Sequence, residues 1–385
     1  MKLTIERSSF GEAVATASRT VPQRPPMPVM AGIKMTATDG VLTLAAWDYD
    51  NSTEHRAEAN VTEPGQVLVP GRLLTDIAKQ LPAQAVTLTS DGVRAVIACG
   101  ASRYTLHTLP LEEYPQLPSV PPQSGTVDAA EFAAAVAQVA PAASREIEFL
   151  AGVRIEADED HLVLAATDRY RVVVRRLPWK CPSAFDATVT VRASDLHSLS
   201  KSFAGAGTLT LHMPADGSGD GLLGIATSSG TITTRLLDGT RFPKWKTIMP
   251  TTERATTLVR AERAALMEAI GRVSLVLDRG KQVFLRCTSG GIDLSGGDSD
   301  DAQAHDHTNA VVEGEDTYIA FNPAFLTSAL QATTTPEVSL AFQGPMRPAL
   351  VFPADGSTDP DLRYVVMPVR TNETTPDNAP QPKRS

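Results

Sequence analysis

The chain of 385 residues is poor in cysteine, in aromatic residues and in long hydrophobic runs. Its three cysteines, at positions 99, 181 and 287, are odd in number and lack Cys-x-x-Cys spacing, which argues against a disulfide framework and favours reduced, structural thiols. No apolar run approaches the roughly 18 residues of a membrane span. The N-terminal segment MKLTIERSSF lacks the apolar core of a signal peptide, so we expect a cytoplasmic protein.

Signatures of catalysis, nucleotide binding and metal binding are also scarce. The glycines of Gly217–Gly224 suggest a phosphate loop, but a strand-like pattern follows them instead of a helix, so we expect a hairpin tip. The segment Asp298–His307 collects carboxylates and two histidines in a spacing that matches no zinc or EF-hand pattern, and an exposed acidic loop is expected. The sequence therefore predicts no catalytic residue, no metal and no cofactor. A hydrolase that uses the Asp/His loop is the alternative from another class.

In place of these signatures the chain has an internal repeat. A strand-to-helix segment occurs three times, starting at Val69, Val191 and Phe321, with spacings of 122 and 130 residues. Each copy opens with an apolar residue, continues with a short break rich in Gly, Ala, Asn or Pro, and then has apolar residues at helical spacing. A period of this length corresponds to a whole domain and is too long for a solenoid unit.

Other elements recur in the same order. A strand followed by a helix appears three times, with Phe10, Phe132 and Leu266 at the matching core positions. The strand end at residues 44–48, LAAWD, is repeated at residues 164–168 as LAATD, and both run into a polar turn. Such echoes at nearly constant spacing indicate three copies of one domain.

Between the helices lie short alternating runs separated by Asp-Gly and Gly-Gly turns, a pattern typical of antiparallel hairpins. Each copy is therefore predicted to be an α+β domain with two helices on an antiparallel sheet. Polar, Pro-rich linkers predict domains at 1–122, 123–250 and 251–370. Residues 371–385 have almost no capacity to form a core and are predicted to be a disordered tail.

Six motifs together resemble those of the bacterial DNA polymerase sliding clamp, or β clamp, family, most closely its actinobacterial members. They are MKLTIER at the start, Gln23-Arg-Pro25, ATDRYRV at 166–172, DGTRFPKW at 238–245, Phe321-Asn-Pro323 and YVVMPVR at 364–370. The resemblance covers residues 1–370. It implies a non-catalytic head-to-tail homodimer, a closed ring of six similar domains around duplex DNA, with helices lining the hole and sheets outside.

The resemblance reconciles a net charge of −9 with a DNA partner, because basic residues lie on or beside the predicted lining helices. The implied DNA-facing residues are Arg19, Arg24, Arg72, Lys79, Lys201, Arg263 and Arg272, with Arg7 and Arg260 beside them. A ring held by topology needs only weak, sequence-independent contacts, so we expect low and strongly salt-dependent affinity. The third helix copy, residues 321–333, carries no Lys or Arg, and we expect the duplex to lie off-centre or tilted toward the first two domains.

The resemblance also implies a groove between the second and third domains that binds a short linear motif, roughly QLxLF, of DNA polymerase, clamp loader and repair proteins. Motif matching assigns to this groove Leu150, Thr167, Arg169, Tyr170, Arg171, Val172, Pro243, Thr247, Ile248, Asn322, Phe325, Val365, Val366, Met367, Pro368, Val369 and Arg370. An apolar floor with Arg and Tyr at the rim suits a peptide with two apolar anchors. Taken alone, residues 166–172 also fit a solvated turn and residues 364–370 a core strand.

The ring interface is expected to join the first domain, near Arg103, Tyr104 and Leu106, to the third domain, near Leu275. A housekeeping clamp is the first interpretation. Thr371 stands where family members end in Leu, and Thr247 stands where some clamps carry Arg, so a specialised second copy remains open, for example one that tolerates a groove-binding antibiotic. A monomeric peptide-binding adaptor is a further alternative if the ring interface has decayed.

Overall fold

The structure is a computed structural model that describes residues 1–157, 160–181, 186–203, 205–214, 221–278, 281–297, 302–357 and 360–370. The tail at 371–385, the first half of the expected hairpin tip, residues 217–220, and the start of the acidic segment at 298–301 lie outside these ranges. The predictions made for those residues therefore remain predictions.

Six α-helices occur in the described ranges, two in each of the three predicted repeats. They are α1 Arg7–Ser18, α2 Gly71–Gln80, α3 Ala129–Val139, α4 Ala193–Phe203, α5 Arg263–Ser274 and α6 Pro323–Ala332. The prediction of an α+β fold built from three tandem repeats is confirmed, because every helix pair is embedded in a series of antiparallel strands.

The strands also follow the repeat. The first third of the chain contains β1 Lys2–Ile5, β2 Gly32–Thr38, β3 Val41–Trp47, β4 Asn51–Glu58, β5 Asn60–Glu63, β6 Gly65–Pro70, β7 Val86–Ser90, β8 Arg94–Cys99 and β9 Ser102–His107. The middle third contains β10 Gln123–Asp128, β11 Gly152–Ala157, β12 His161–Thr167, β13 Arg171–Pro178, β14 Ala187–Arg192, β15 Thr208–His212, β16 Leu222–Thr227 and β17 Gly230–Arg235. The last third contains β18 Thr257–Glu262, β19 Val283–Thr288, β20 Gly291–Gly297, β21 Gln303–Thr308, β22 Ala310–Gly314, β23 Thr317–Phe321, β24 Glu337–Phe342, β25 Ala349–Pro353 and β26 Leu362–Val366.

Local sequence signals explain several element boundaries. The Asp128 carboxylate accepts a hydrogen bond from the Glu131 backbone N–H at 2.9 Å and caps α3, as the capping pattern predicts. At the Asp39-Gly40 hairpin both residues have positive φ, 49° and 77°, as the tight turns that join antiparallel strands require. The apolar residues at helical spacing in 260–274 predict a helix that begins at Arg260. This boundary is wrong, because Arg260 lies in β18, where alternating burial continues to Glu262.

The described end of the glycine-rich segment has no enzyme signature. Residues 222–224 belong to β16, a strand that pairs antiparallel with β15, so no helix of the kind that a dinucleotide site needs follows the glycines. No cluster of His, Cys, Asp or Glu suited to a metal ion occurs among the described residues. In that same part of the chain no helix has the length and apolar character needed to cross a membrane. None of the three cysteines, all of which lie in the described ranges, forms a disulfide.

The chain forms two compact units. Unit 1 contains residues 1–133, 157–160 and 178–238, and unit 2 contains residues 134–156, 161–177 and the described residues from 239 onward. The middle repeat is thus shared between the units. The domain boundaries expected from the linkers remain predictions.

Unit 1 has two antiparallel sheets. One has the strand order β5-β1-β7-β8-β9, and the other has the order β10-β15-β16-β17-β4-β3-β2-β6. The first helix pair packs through Phe10 and Val14 of α1 and Leu74 of α2, all at most 1% exposed, into one core between strands of both sheets. The second pair meets through Phe132 and Phe203, whose ring centres are 5.9 Å apart. The predicted core positions Phe10 and Phe132 are therefore confirmed.

Unit 2 repeats this arrangement. Eight of its strands follow the order β11-β12-β13-β26-β25-β24-β18-β22, and four more follow the order β21-β20-β19-β23. Leu266 of α5 and Leu326 of α6 are fully buried, as helices with one apolar face require. The last strand, β26, pairs antiparallel with β13 from the middle repeat, so that Arg171 lies opposite Val366. This pairing positions the candidate site.

Candidate peptide-binding groove and basic helix surfaces

The turn between β12 and β13 is held by its own side chains. The Asp168 Oδ1 atom accepts hydrogen bonds from the backbone N–H groups of Tyr170 and Arg171, both at 3.0 Å. The Thr167 hydroxyl donates to the Arg171 carbonyl at 2.7 Å. Arg169 has φ of 83°, a left-handed conformation that a non-glycine residue adopts only where its surroundings enforce it. The segment is therefore a constrained turn that presents Tyr170 and Arg169 outward, in contrast to a loose solvated loop.

Arg171 is the hub of this turn. Its guanidinium pairs with the Asp168 carboxylate at 2.8 Å and donates to the Tyr364 hydroxyl at 3.0 Å and to the Pro141 carbonyl at 2.6 Å. It also lies 5.0 Å from the centre of the Phe325 ring, within the range of a cation–π interaction. Burial alone would lower the pKa of Arg171, but Tyr364 and Asp168 outweigh it and raise the pKa, so the guanidinium stays charged.

An exposed apolar surface adjoins this hub. The Tyr170 ring stacks on Phe325 at a centroid distance of 5.9 Å and an interplanar angle of 17°. Met367 follows β26 and is 40% exposed, and its backbone N–H donates to the Tyr170 carbonyl at 2.8 Å. Two residues later, the Val369 N–H donates to the Ala320 carbonyl at 2.8 Å. The extended segment 367–370 is thereby held beside the Tyr170–Phe325 stack, and apolar side chains on it remain accessible.

The predicted groove residues fall into two sets. Exposed or half-buried ones can contact a ligand directly: Arg169, Tyr170, Arg171, Pro243, Thr247, Ile248, Asn322, Phe325, Met367, Pro368, Val369 and Arg370. Five others are at most 5% exposed and support these residues from the core without a contact surface of their own: Leu150, Thr167, Val172, Val365 and Val366. In the last segment, β26 is a core strand, and the residues after it are surface residues. The assignment of those surface residues to a groove stays a prediction.

The motifs did not reveal the groups that hold the rim in place. Asp168 and Tyr364 lie inside the motifs, and their pattern could have drawn attention to them. Pro141 carries no sequence signal, because it meets Arg171 only through the tertiary fold. Asn322 has a positioning role as well, since its side chain caps α6 by accepting the Ala324 N–H at 2.9 Å.

The predicted DNA-facing residues differ in how they are held. The five in unit 1 are all exposed or half-buried: Arg19, Arg24, Arg72, Lys79 and Lys201. Arg19 also donates to the Ser202 hydroxyl on α4. The two in unit 2 are engaged internally. Arg263 donates to the Thr335 carbonyl at 3.1 Å, and Arg272 pairs with Asp306 at 2.5 Å and with Glu268 at 3.6 Å.

The predicted ring-interface residues lie at element edges, with one correction. Arg103 and Tyr104 lie on β9, which ends the five-stranded sheet of unit 1, and Leu275 directly after α5 is 84% exposed. Leu106, also on β9, is only 2% exposed and packs in the core of unit 1. Alternation along the strand turns its side chain inward, so Leu106 cannot contribute a side-chain contact to a partner.

Comparison with known proteins agrees with this geometry over the whole described chain. Models of the N-terminal, central and C-terminal domains of the DNA polymerase III beta subunit match residues 1–118, 126–244 and 246–370. A beta sliding clamp of Streptomyces coelicolor is 44% identical over 376 residues, covering 96% of this chain and 99% of the relative. The beta sliding clamp homolog GriR of Streptomyces muensis is 36% identical over 378 residues, with 96% and 99% coverage.

Solved structures share the fold. A DnaN sliding clamp of Pseudomonas aeruginosa bound to griselimycin superposes with a TM-score of 0.89 at 24% identity, covering 96% of this chain and 100% of that one. A DNA polymerase sliding clamp of Bacillus subtilis gives a TM-score of 0.86 at 24% identity, with 96% and 99% coverage.

The fold and the site together define a class: a tandem-repeat α+β protein of the DNA-clamp type with a constrained turn and exposed apolar side chains beside its last strand. The chain belongs to the DNA polymerase III beta subunit family, the sliding clamps that act as processivity factors in DNA replication. The resemblance to actinobacterial members holds, since relatives at 44% and 37% identity come from Streptomyces coelicolor and Micrococcus luteus.

Proposed function

We propose that two copies of this chain close head to tail into a ring around duplex DNA and tether a replicative DNA polymerase through the groove formed by Tyr170, Arg171, Phe325 and Met367. The observation that carries the proposal is the Tyr170–Phe325 stack beside Met367, because it presents exposed apolar surface next to a fixed cation. Such a surface suits a peptide whose apolar anchors dock while a polar group meets the rim. The clamp loader and repair proteins would use the same groove through short linear motifs.

A catalytic role has no support in the geometry. His307 pairs with Asp293 at 2.8 Å, and Asp306 pairs with Arg272, so these two residues of the acidic segment are engaged in cross-strand and helix contacts. The proposed function therefore depends on binding and topology alone. We expect the protein to work in the cytoplasm, on the nucleoid, and to require no cofactor.

A housekeeping role is favoured over a specialised copy. Identity to the Streptomyces coelicolor clamp, 44%, exceeds identity to the homolog GriR, 36%. Griselimycin, which is bound in the Pseudomonas aeruginosa clamp structure, supplies a direct test. A housekeeping clamp should bind griselimycin and release it in competition with a QLxLF peptide, whereas a tolerant copy should bind the peptide alone.

The ring is tested by loading the protein onto nicked circular DNA. A clamp should be retained on the circle and released when the DNA is linearised, because only topology holds it there. Light scattering should give the mass of a dimer. A monomer that still binds the QLxLF peptide would support the adaptor alternative, and metal-dependent turnover of a hydrolase substrate would support the enzyme.

A further inference from the structure

The turn that carries Tyr170 has a counterpart in unit 1, between β3 and β4. Here the Asp48 Oδ1 atom accepts hydrogen bonds from the backbone N–H groups of Asp50, at 3.0 Å, and Asn51, at 2.6 Å. Tyr49 has φ of 77°, matching the 83° of Arg169 in the groove turn. Both turns therefore have a non-glycine residue in the left-handed conformation directly after an aspartate that caps the turn. Local propensity does not favour this conformation, so the two turns share an unusual backbone structure.

The backbone hydrogen bonds next to the two turns also match. The Arg235 N–H donates to the Asp50 carbonyl at 2.8 Å, as the Met367 N–H donates to that of Tyr170. Two residues on, the Leu237 N–H donates to the Thr190 carbonyl at 2.7 Å, the counterpart of the bond from Val369 to Ala320. The residue three positions after Thr190 begins α4, and the residue three positions after Ala320 begins α6. In each unit the turn, the segment bonded to it and the start of the following helix form a cradle. Unit 1 therefore contains a second cradle with the same backbone hydrogen bonds as the one that forms the proposed groove in unit 2.

The side chains of the two cradles differ in chemistry. Asp195, the third residue of α4, occupies the position that Phe325 has in α6. Burial, and then the nearby Asp48 carboxylate, raise the pKa of Asp195 despite hydrogen bonds from Ser194 and Asn51 and attraction to Arg192. Where the groove has an aromatic floor, the second cradle thus has a carboxylate whose negative charge is incompletely compensated.

Aromatic and thioether groups border these carboxylates. The Trp47 and Tyr49 rings meet edge to face at a centroid distance of 4.9 Å, and the Tyr49 hydroxyl donates to the Met27 sulfur at 3.3 Å. Tyr49 is 37% exposed and Met27 is 36% exposed. Exposed Tyr49 and Met27 side chains and the half-buried Trp47 ring lie beside these acidic groups, which is a surface suited to interaction.

A buried hydroxyl beside Asp48 has no hydrogen bond of ordinary geometry within the described part of the chain. It belongs to Tyr114, which is only 8% exposed and has the Trp47 backbone nearby. Burial raises the pKa of Tyr114 to about 12, and the Asp48 carboxylate contributes to the rise.

We propose that this second cradle, formed by Met27, Trp47, Asp48, Tyr49 and Asp195, binds a short peptide segment that presents an arginine. The guanidinium would lie against the Tyr49 and Trp47 rings and donate hydrogen bonds to the Asp48 and Asp195 carboxylates. Arginine suits the cradle better than lysine, because its planar fork can stack on a ring and pair with a carboxylate at once. The groove of unit 2 takes apolar anchors, so one chain carries two cradles of opposite preference.

Two native cations set the limits of this preference. Arg235 pairs with Asp50 at 3.1 Å, and Arg192 lies 3.8 Å from Asp195. Asp50 is therefore compensated within the chain and is not part of the cradle. The distance from Arg192 to Asp195 is long for an ion pair, which leaves room for a better-placed guanidinium.

The test uses the full-length protein and the labelled peptide acetyl-Gly-Arg-Leu-Arg-Gly-amide, with binding followed by fluorescence anisotropy. We expect Asp195→Asn to weaken binding about tenfold or more, as the loss of a charge-assisted bond implies. Asp76→Asn removes the same charge from an exposed position on α2 and should change affinity by less than about twofold. An equal loss in both variants would indicate non-specific attraction to an acidic protein and overturn the proposal.

Three further arms complete the experiment. Tyr49→Asn keeps a residue that tolerates positive φ while removing the ring, and it should also weaken binding, whether or not Asp195→Asn folds. Met367→Glu should leave affinity for the arginine peptide unchanged, because that residue belongs to the other groove. The peptide with both arginines replaced by glutamate should not bind. Absence of arginine-peptide binding at millimolar concentration, or equal binding of the glutamate peptide, would refute the proposal.

Discussion

The guanidinium of Arg171, in the middle repeat, lies 5.0 Å above the ring of Phe325, in the third repeat, while its nitrogens bond to Asp168, Tyr364 and Pro141. One side chain thus joins a turn, the last core strand, α6 and the segment that follows α3 within unit 2. These contacts hold the turn at Arg171 in place although the side chain is only half-buried. If the proposed groove binds a peptide, Arg171 acts as a positioning residue for it.

Met367→Glu is expected to abolish binding of a QLxLF peptide without opening the ring. Met367 is 40% exposed beside the Tyr170–Phe325 stack, and a carboxylate there would have to be desolvated against an apolar peptide anchor. Calorimetry measures the affinity and light scattering the dimer. Met346 is 39% exposed, so Met346→Glu is a matched control that should bind normally. Unchanged peptide affinity in Met367→Glu would refute the assignment of the groove.

Arg171→Lys should destabilise unit 2 although the charge is retained. A lysine has no planar fork and cannot satisfy Asp168, Tyr364 and Pro141 together, so we expect a loss of about 1–3 kcal/mol in the free energy of unfolding. Chemical denaturation followed by tryptophan fluorescence measures this loss. Arg56→Lys alters an exposed pair with Glu54 and should change the free energy of unfolding by no more than about 0.5 kcal/mol. Equal effects of the two substitutions would contradict the role of Arg171 as a hub.

Stability at acidic pH should depend on Glu156. Burial alone would raise the pKa of Glu156, but hydrogen bonds from Lys246, Arg154 and Trp245 outweigh burial and lower it. A pKa that is lower in the folded state gives stabilisation that is present above the ordinary glutamate pKa of about 4.3 and is lost as the pH falls through the folded pKa.

The measurement is the difference in free energy of unfolding between the native protein and Glu156→Gln across pH 3 to 7, a range of about four units around the glutamate pKa. The free energy of unfolding of the native protein should exceed that of Glu156→Gln most at neutral pH, and the difference should shrink as the pH falls. Glu54→Gln, in an exposed ion pair, should give a small difference. A native advantage that grows on acidification would reverse the sign and overturn the prediction.

Binding of the unloaded protein to a short linear duplex should be weak and steeply salt-dependent. Substitution of Arg72, Lys79 and Lys201 by alanine should make the plot of the logarithm of the binding constant against the logarithm of the salt concentration less steep. The slope should fall by up to about 0.9 for each phosphate that is no longer neutralised. Substitution of Arg263 and Arg272 should have less effect, because these side chains already bond to Thr335, Asp306 and Glu268.

Two kinds of result would contradict the expectation that DNA binds through phosphate contacts, mainly to basic residues of unit 1. Salt-insensitive binding would exclude a phosphate-based interaction of any kind. Equal effects of the unit 1 and unit 2 substitutions, or a DNA complex with a centred and upright duplex, would contradict the expectation that DNA lies closer to the first two domains.

Much of the fold was predictable because the same local sequence patterns occur in three copies along the chain. The alternating residues 208–212 predict a strand, and Asp128 followed by Glu131 predicts a cap for α3; the structure confirms both. The start of α5 was misplaced at Arg260, because helical and strand periodicities overlap over only three residues, and pairing of β18 with both β22 and β24 extended the strand.

The groove was predictable only as a set of motifs. Family resemblance brought the segments 166–172 and 364–370 to one site, and the pairing of Arg171 with Val366 explains why they meet. The resemblance did not separate Tyr170, which is 55% exposed, from Val172, which is 5% exposed, because the side chains along a strand and its turn alternate between the surface and the core. Leu106 was assigned to the ring interface for the same reason, although its side chain faces the core.

The sequence alone determined the α+β class, the three-fold repeat and the family, since each depends on periodicity, turn chemistry or local motifs that are written along the chain. Only the tertiary structure decided which residues hydrogen-bond to Arg171, and which of the two cradles contains aromatic side chains and which contains carboxylates. Asp48 and Asp168 lie in matching sequence echoes, but Asp195 comes close to Asp48, and Phe325 to Arg171, only through contacts between distant segments. Such long-range contacts depend on packing and strand pairing of the whole unit, and no local pattern encodes them.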